Sequence, residues 1–109
     1  MIFFKPTVLG DGIVRFEAIE NEAASAECKL IVNGSRAEIT SISCNGDRSL
    51  VEGIIKSAFH YAALKNCYMG YCKCDEFAHI LDGMNFSKAD GVYFNDIPSI
   101  LTGNCCKSY

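Results

Sequence analysis

Apolar residues recur at positions 50, 51, 54, 55, 58, 59 and 62, the stripe of one amphipathic helix. Ser49 and Glu52, three apart at its start, have the spacing of a capping box. Glu52 and Lys56 suit an i,i+4 pair on the outer face, and Asn66 suits a stop. The helix is therefore expected over 50–65. Upstream the period is two. Val14, Phe16 and Ala18 alternate with Arg15 and Glu17, and Cys28, Leu30 and Val32 alternate with polar neighbours. These runs predict strands over 13–19 and 26–32. Asn33-Gly34 is a strong hairpin signal, so the next strand, Arg36–Cys44, should run antiparallel to the one before.

Beyond the helix, 67–73 reads as a strand. A strand, a crossover helix and a second strand place the two strands parallel. Asp75 then suits the cap of a short helix with Phe77, Ile80, Leu81 and Met84 on one face, ended by Gly83. Residues 91–94 form a last short strand after the turn at Ala89-Asp90, and Pro98 can start one helical turn over 99–101. Residues 1–12 read as an apolar patch, then Pro6 and the turn Gly10-Asp11-Gly12. The expected class is α/β (an α+β mixed sheet), ordered β-β-β-α-β-α-β around a central parallel pair.

Length and charge narrow the function. The 109 residues, half of them hydrophobic, suit one domain, 1–109, with a real core. A net charge of −3 speaks against a nucleic-acid footprint. No apolar run approaches the ~20 residues of a membrane span, and the stretch before Pro6 is too short for a signal peptide. A cytoplasmic location is expected. The seven cysteines are an odd number, read as thiols in a reducing compartment.

The element order resembles the GNAT (Gcn5-related N-acetyltransferase) fold, over roughly residues 13–95. The resemblance rests on Arg36–Cys44 as central strand, the helix that follows, and the segment FAHILDGMNF from Phe77 to Phe86. It is closest to small variants without the first two helices, for which there is no room between 19 and 24. It implies acyl-CoA binding between strands 36–44 and 67–73, with the diphosphate on a loop of pattern Arg/Gln-x-x-Gly-x-Gly/Ala. The corresponding residues are Gly46-Asp47-Arg48-Ser49-Leu50-Val51, so neither glycine is retained, and Asp47 brings negative charge. The catalytic tyrosine often found before the family phenylalanine falls on Leu81. The family's fold is thus implied more than its activity, with acetyl-CoA expected to bind weakly through Asn45, Gly46, Asp47, Arg48 and Ser49.

Candidate chemistry is sparse. Glu38, on the central strand, stands where the family often places a general base; it could equally face solvent. His60 and His79 read as solvated. Cys44, Cys72 and Cys74 fall at the carboxyl ends of two parallel strands, and Cys105-Cys106 is an adjacent pair. Four of these five could form a tetrahedral thiolate metal site, although Cys-x-Cys lacks the usual Cys-x₂-Cys spacing. Three functions stay open: a degenerate GNAT-like domain that binds acyl-CoA or another small ligand, a cysteine-based metal or redox module, and a structural dimer-forming domain. A homodimer, or the segments 1–9 and 97–109, is expected to cover the sheet face left bare without the two helices.

Overall fold

Hydrophobic alternation and the helical stripe assemble into one seven-stranded sheet with its helices on one side. The computed structural model describes residues 2–44 and 47–102. The elements are β1 (Ile2–Gly10), β2 (Ile13–Glu20), β3 (Ala23–Asn33), β4 (Arg36–Cys44), α1 (Arg48–Leu64), β5 (Met69–Cys72), a 3₁₀ turn (Asp75–Phe77), α2 (Ala78–Gly83), β6 (Ser87–Ala89), β7 (Val92–Asp96) and α3 (Ile97–Thr102). The strand order is β1-β2-β3-β4-β5-β7-β6. β4 and β5 are parallel, from Arg36↔Met69 to Ile39↔Cys72, and the other neighbouring pairs are antiparallel. The expected mixed sheet with a central parallel pair is therefore present.

Helix α1 bridges that pair. Leu50, Ile54, Ile55, Ala58, Phe59 and Ala62 are all buried, as the stripe requires, and Val51 with them. The helix stops where Asn66 enters the left-handed region at φ 71°. The N–H groups of Asn66 and Cys67 then close on the Ala63 and Ala62 carbonyls, both at 3.0 Å. Its start differs from expectation. Asp47, not Ser49, is the N-cap, with Oδ1 accepting the Leu50 N–H at 3.3 Å. Once Asp47 caps, the helix begins at Arg48, and Glu52 pairs back to Arg48 at 2.9 Å instead of forward to Lys56.

Other boundaries shift for local reasons. Residues 2–10 form an edge strand, not a loose patch. Pro6 is tolerated because β1 is an edge strand: among the described residues no strand pairs with its outer side. β5 is shorter than 67–73, because Cys67 still belongs to the helix stop. Asp75 does not cap; it opens the 3₁₀ turn without a side-chain cap bond. Residues 87–89 add β6, and α3 runs 97–102. The Asp96 carboxylate holds the start of α3, accepting from the Ser99 N–H and Oγ at 2.9 Å each.

β2, β3, β4, β5 and β7 each have one buried and one open side, while the outer strands β1 and β6 have no buried residue. Val14, Phe16, Ala18, Cys28, Leu30, Ile39, Cys72 and Tyr93 face the helices. A bulge keeps that pattern along β4: Ile39 pairs with Leu30 and Ser41 with Lys29, so Thr40 is extra and Ile39 and Ile42 both turn inward. The opposite side carries Arg15, Glu17, Lys29, Glu38, Tyr71, Lys73 and Phe94, half-buried or exposed. The described parts of the terminal segments, 2–10 and 97–102, do not cover it; residues 103–109 lie outside the described residues. Residues 2–10 lengthen the sheet, and Ile100 of α3 packs beside Gly70 and Phe59 on the helical side.

Candidate functional site

The β4–β5 pairing lasts four residues and then opens. Its last tie is the Lys73 N–H to the Ile39 carbonyl at 3.3 Å. β4 continues to Cys44, and among the described residues no strand pairs with 40–44 on that edge. α1 begins four residues after Cys44, so its N-terminus and its unpaired amides sit at the same end of the sheet. A short parallel pair that parts ahead of a helix N-terminus forms a crevice at the carboxyl edge of the sheet, the place where open α/β sheets take ligands.

The charged residues at this edge are already engaged. Asp47 uses one carboxylate oxygen as the helix cap, and the Arg48 guanidinium is held by Glu52. Asp47, Arg48 and Ser49 are exposed; Asn45 and Gly46 lie outside the described residues. Leu81, which stands at the family tyrosine's place, is fully buried.

The thiols divide into two sets. Cys44 is half-buried, with Sγ toward the Asp47 carbonyl at 4.0 Å. Cys72 and Cys74 are both buried, two positions apart. The neighbouring Cys72 thiol holds the Cys74 thiol below its usual range; the Cys74 thiol, and then burial, push Cys72 up. Cys28, on the same side of the sheet, is pushed up to about 12 by burial and by the nearby Cys74 and Glu27. Burial also raises Cys67, whose Sγ bonds the Gly34 and Arg36 carbonyls at 3.6 and 3.7 Å. The grouping of Cys44 with Cys72 and Cys74 does not form. β5 ends opposite Ile39, five positions short of Cys44. Among the described residues no three His, Cys, Asp or Glu side chains gather as metal ligands. Cys105 and Cys106 lie outside the described residues.

Glu38 faces the open side of the sheet, where Lys73 pairs with it at 3.1 Å. It lines a groove of about 400 Å³ with Arg36, Tyr71, Lys73, Asp90 and Phe94. Tyr71 and Phe94 stack with ring centroids 6.5 Å apart, and the Arg36 guanidinium lies 4.6 Å from the Tyr71 ring. Sequence reasoning missed this aromatic and cationic surround. Alternation does put Tyr71 and Lys73 on one face, but joining them to Glu38 needs the parallel register. His60 and His79 are exposed, as expected.

No protein-family model matches the sequence, and no curated protein does either. Solved structures do. The ribosomal-protein-S18-alanine N-acetyltransferase of Escherichia coli superposes with a TM-score of 0.68 at 13% identity, over 81% of this chain and 71% of that one. YhhK of Escherichia coli, a candidate N-acetyltransferase whose solution structure holds coenzyme A, matches with a TM-score of 0.67 at 11% identity, over 82% of this chain and 75% of that one. A cAMP-binding acyltransferase of Mycobacterium smegmatis matches with a TM-score of 0.70 at 12% identity; it covers 94% of this chain but 45% of the longer enzyme. At such identities the likeness is one of fold, and that fold is the GNAT fold in a small chain.

Proposed function

We propose that this GNAT-like chain is a degenerate acyltransferase-related domain that holds an acyl-CoA, or another small ligand, weakly in the crevice between β4 and β5. The observation that carries the reading is the parting of the parallel pair after Ile39 and Cys72, directly before the N-terminus of α1. An extended ligand there meets the unpaired edge of β4 at one end and helix amides at the other. Coenzyme A in YhhK supports the choice of ligand class.

The same residues argue against tight binding and efficient transfer. Asp47 sets a carboxylate beside the anion position, and Arg48 is tied to Glu52. Leu81, fully buried, has no proton to give. Glu38 is paired with Lys73 on the open side of the sheet. Little or no acetyl transfer to simple amines is therefore expected. Amide NMR spectra recorded with acetyl-CoA at millimolar concentration test the location. The expected shifts cluster over 40–51 and 72–74. Shifts confined to Glu38, Tyr71, Lys73 and Phe94 would move the ligand to the open face and end the crevice reading.

Assembly belongs to the same proposal. The open face bears both signs of charge, with Arg15, Lys29 and Lys73 among Glu17, Glu27 and Glu38, a mixture that suits pairing with a second copy. A homodimer through this face is expected in light scattering of the purified protein, and charge reversal at Arg15 and Lys29 together should dissociate it. A monomer at all accessible concentrations contradicts it. Among the described residues no helix is long and apolar enough to cross a membrane.

A further inference from the structure

The inner side of β1 is apolar. In the β1–β2 ladder Phe4, Pro6 and Val8 stand opposite Ala18, Phe16 and Val14, so they share the side of the sheet that carries the helices. α1 packs mainly over β2, β3 and β4 and reaches β1 only narrowly. Gly53 leaves room for that contact: a Cβ built there would come within 2.7 Å of the Phe4 ring. Between β1 and α1 lies a cavity of about 690 Å³, lined by Phe3, Phe4, Phe16, Tyr61, Leu64 and Leu101 among its apolar residues. A second, of about 190 Å³, shares Tyr61 and continues to Val8, Val14 and Val32. The two follow one another along β1, and Phe16 meets Tyr61 edge-on at 5.3 Å beneath them. Phe3, Val8 and Leu64 are 55%, 66% and 71% exposed, so among the described residues nothing covers this trough.

Its polar lining has one sign. Lys56, Ser57 and His60 line the larger cavity from α1, and Lys65 lines the smaller, with Nζ 5.4 Å from the Tyr61 ring. Neither cavity is lined by Asp or Glu, in a chain of net charge −3. Glu52, one turn before Lys56, is held by Arg48. The charge selects the occupant. A second copy set against the trough would bring two sets of lysines together. Residues 103–109 offer one lysine and no acidic side chain. An occupant with an apolar body and a negative end is complementary, and an extended trough suits a linear chain.

We infer that the β1–α1 trough is a binding site for a long-chain fatty carboxylate, separate from the β4–β5 crevice. The carboxylate accepts from the Lys56 ammonium and the His60 imidazole, one turn apart on α1. The alkyl chain runs over Phe16 and Tyr61 toward Val8. It takes Phe3 and Leu64 out of water along with its own methylenes, so affinity grows with chain length.

Laurate and myristate, each below its micelle concentration, are titrated into the full chain by calorimetry and by amide NMR. Dodecyltrimethylammonium, with the laurate chain length and a positive head, is titrated beside them. Myristate should bind roughly several-fold more tightly than laurate. Amide shifts should fall over 3–8 and 56–65 and leave 40–51 unmoved. The ammonium amphiphile should bind about tenfold more weakly than laurate, and Lys56→Glu should weaken laurate by about as much. Leu64→Asp, at an exposed position, should weaken laurate likewise and serves if Lys56→Glu fails to fold. Equal affinity for the two head groups, laurate shifts over 40–51, or no laurate binding at millimolar concentration overturns the inference. Binding to phosphatidylglycerol vesicles but not to free laurate overturns it too, and makes the trough a membrane contact. So do shifts over 3–8 and 56–65 on dilution of the free protein, which place a second copy there, or on deletion of 103–109, which place that segment there.

Discussion

Replacing Phe59 by alanine is expected to cost about 3–5 kcal/mol, the range for removing a fully buried large aromatic side chain from a core. Phe59 is fully buried at the centre of α1. Its ring lies 6.1 Å from that of Phe86, which in turn meets Tyr93 edge-on at 6.5 Å, so the ring joins α1 to the segment after α2 and to β7. It also packs against bare backbone. A Cβ built on Gly70 would come within 2.8 Å of the Phe59 ring and 3.0 Å of Ile100. The absent side chain at Gly70 is what lets the ring approach β5 so closely, and neighbours fixed by helix and sheet cannot collapse into the space it leaves. Urea denaturation followed by circular dichroism checks this. A cost below about 1 kcal/mol would show that the site can close and that Phe59 is not the junction of the core.

Much of that core was legible because helix and strand periods differ. The stripe at 50–62 and the alternation at 14–18 and 28–32 could belong only to a helix and two strands, and Asn33-Gly34 set the direction of β4. The chain ends were less legible. Pro6 reads as a strand breaker until one knows that β1 lies at an edge, and that is a property of the sheet, not of the residue. Asp47 and Ser49 are both good N-caps, and the choice between them came from where β4 released the chain. The bulge at Thr40 has no sequence signal at all, yet it decides that Ile42 rather than Ser41 turns inward. Of the candidate site, the helix N-terminus and the Cys72–Cys74 face could be read from spacing. The Glu38–Lys73 pair and the stacked Tyr71 and Phe94 could not, since they depend on inter-strand register.

Acetyl-CoA should bind with a dissociation constant of about 1 mM or weaker. Glycines in the corresponding GNAT loop let backbone amides approach the diphosphate closely. Here Ser49 and Val51 carry side chains at those positions, and Val51 cannot move aside because it is fully buried in the core. Asp47 adds repulsion, and Arg48, bound to Glu52, offsets little of it. A combined loss of about 3 kcal/mol corresponds to roughly a hundredfold in affinity.

Calorimetric titration of acetyl-CoA into the wild-type chain and into Asp47→Ser tests the crevice most directly. Serine caps a helix about as well as aspartate, so the fold is kept while one negative charge leaves the approach to the helix N-terminus. Because Asp47 is exposed to water, removing its charge is worth about 1 kcal/mol at a separation of about 4 Å, so the variant should bind several-fold more tightly than a wild type of about millimolar affinity. Micromolar binding by the wild type, or equal affinity in the two proteins, would contradict the reading that a degenerate anion site at the start of α1 governs what this crevice holds.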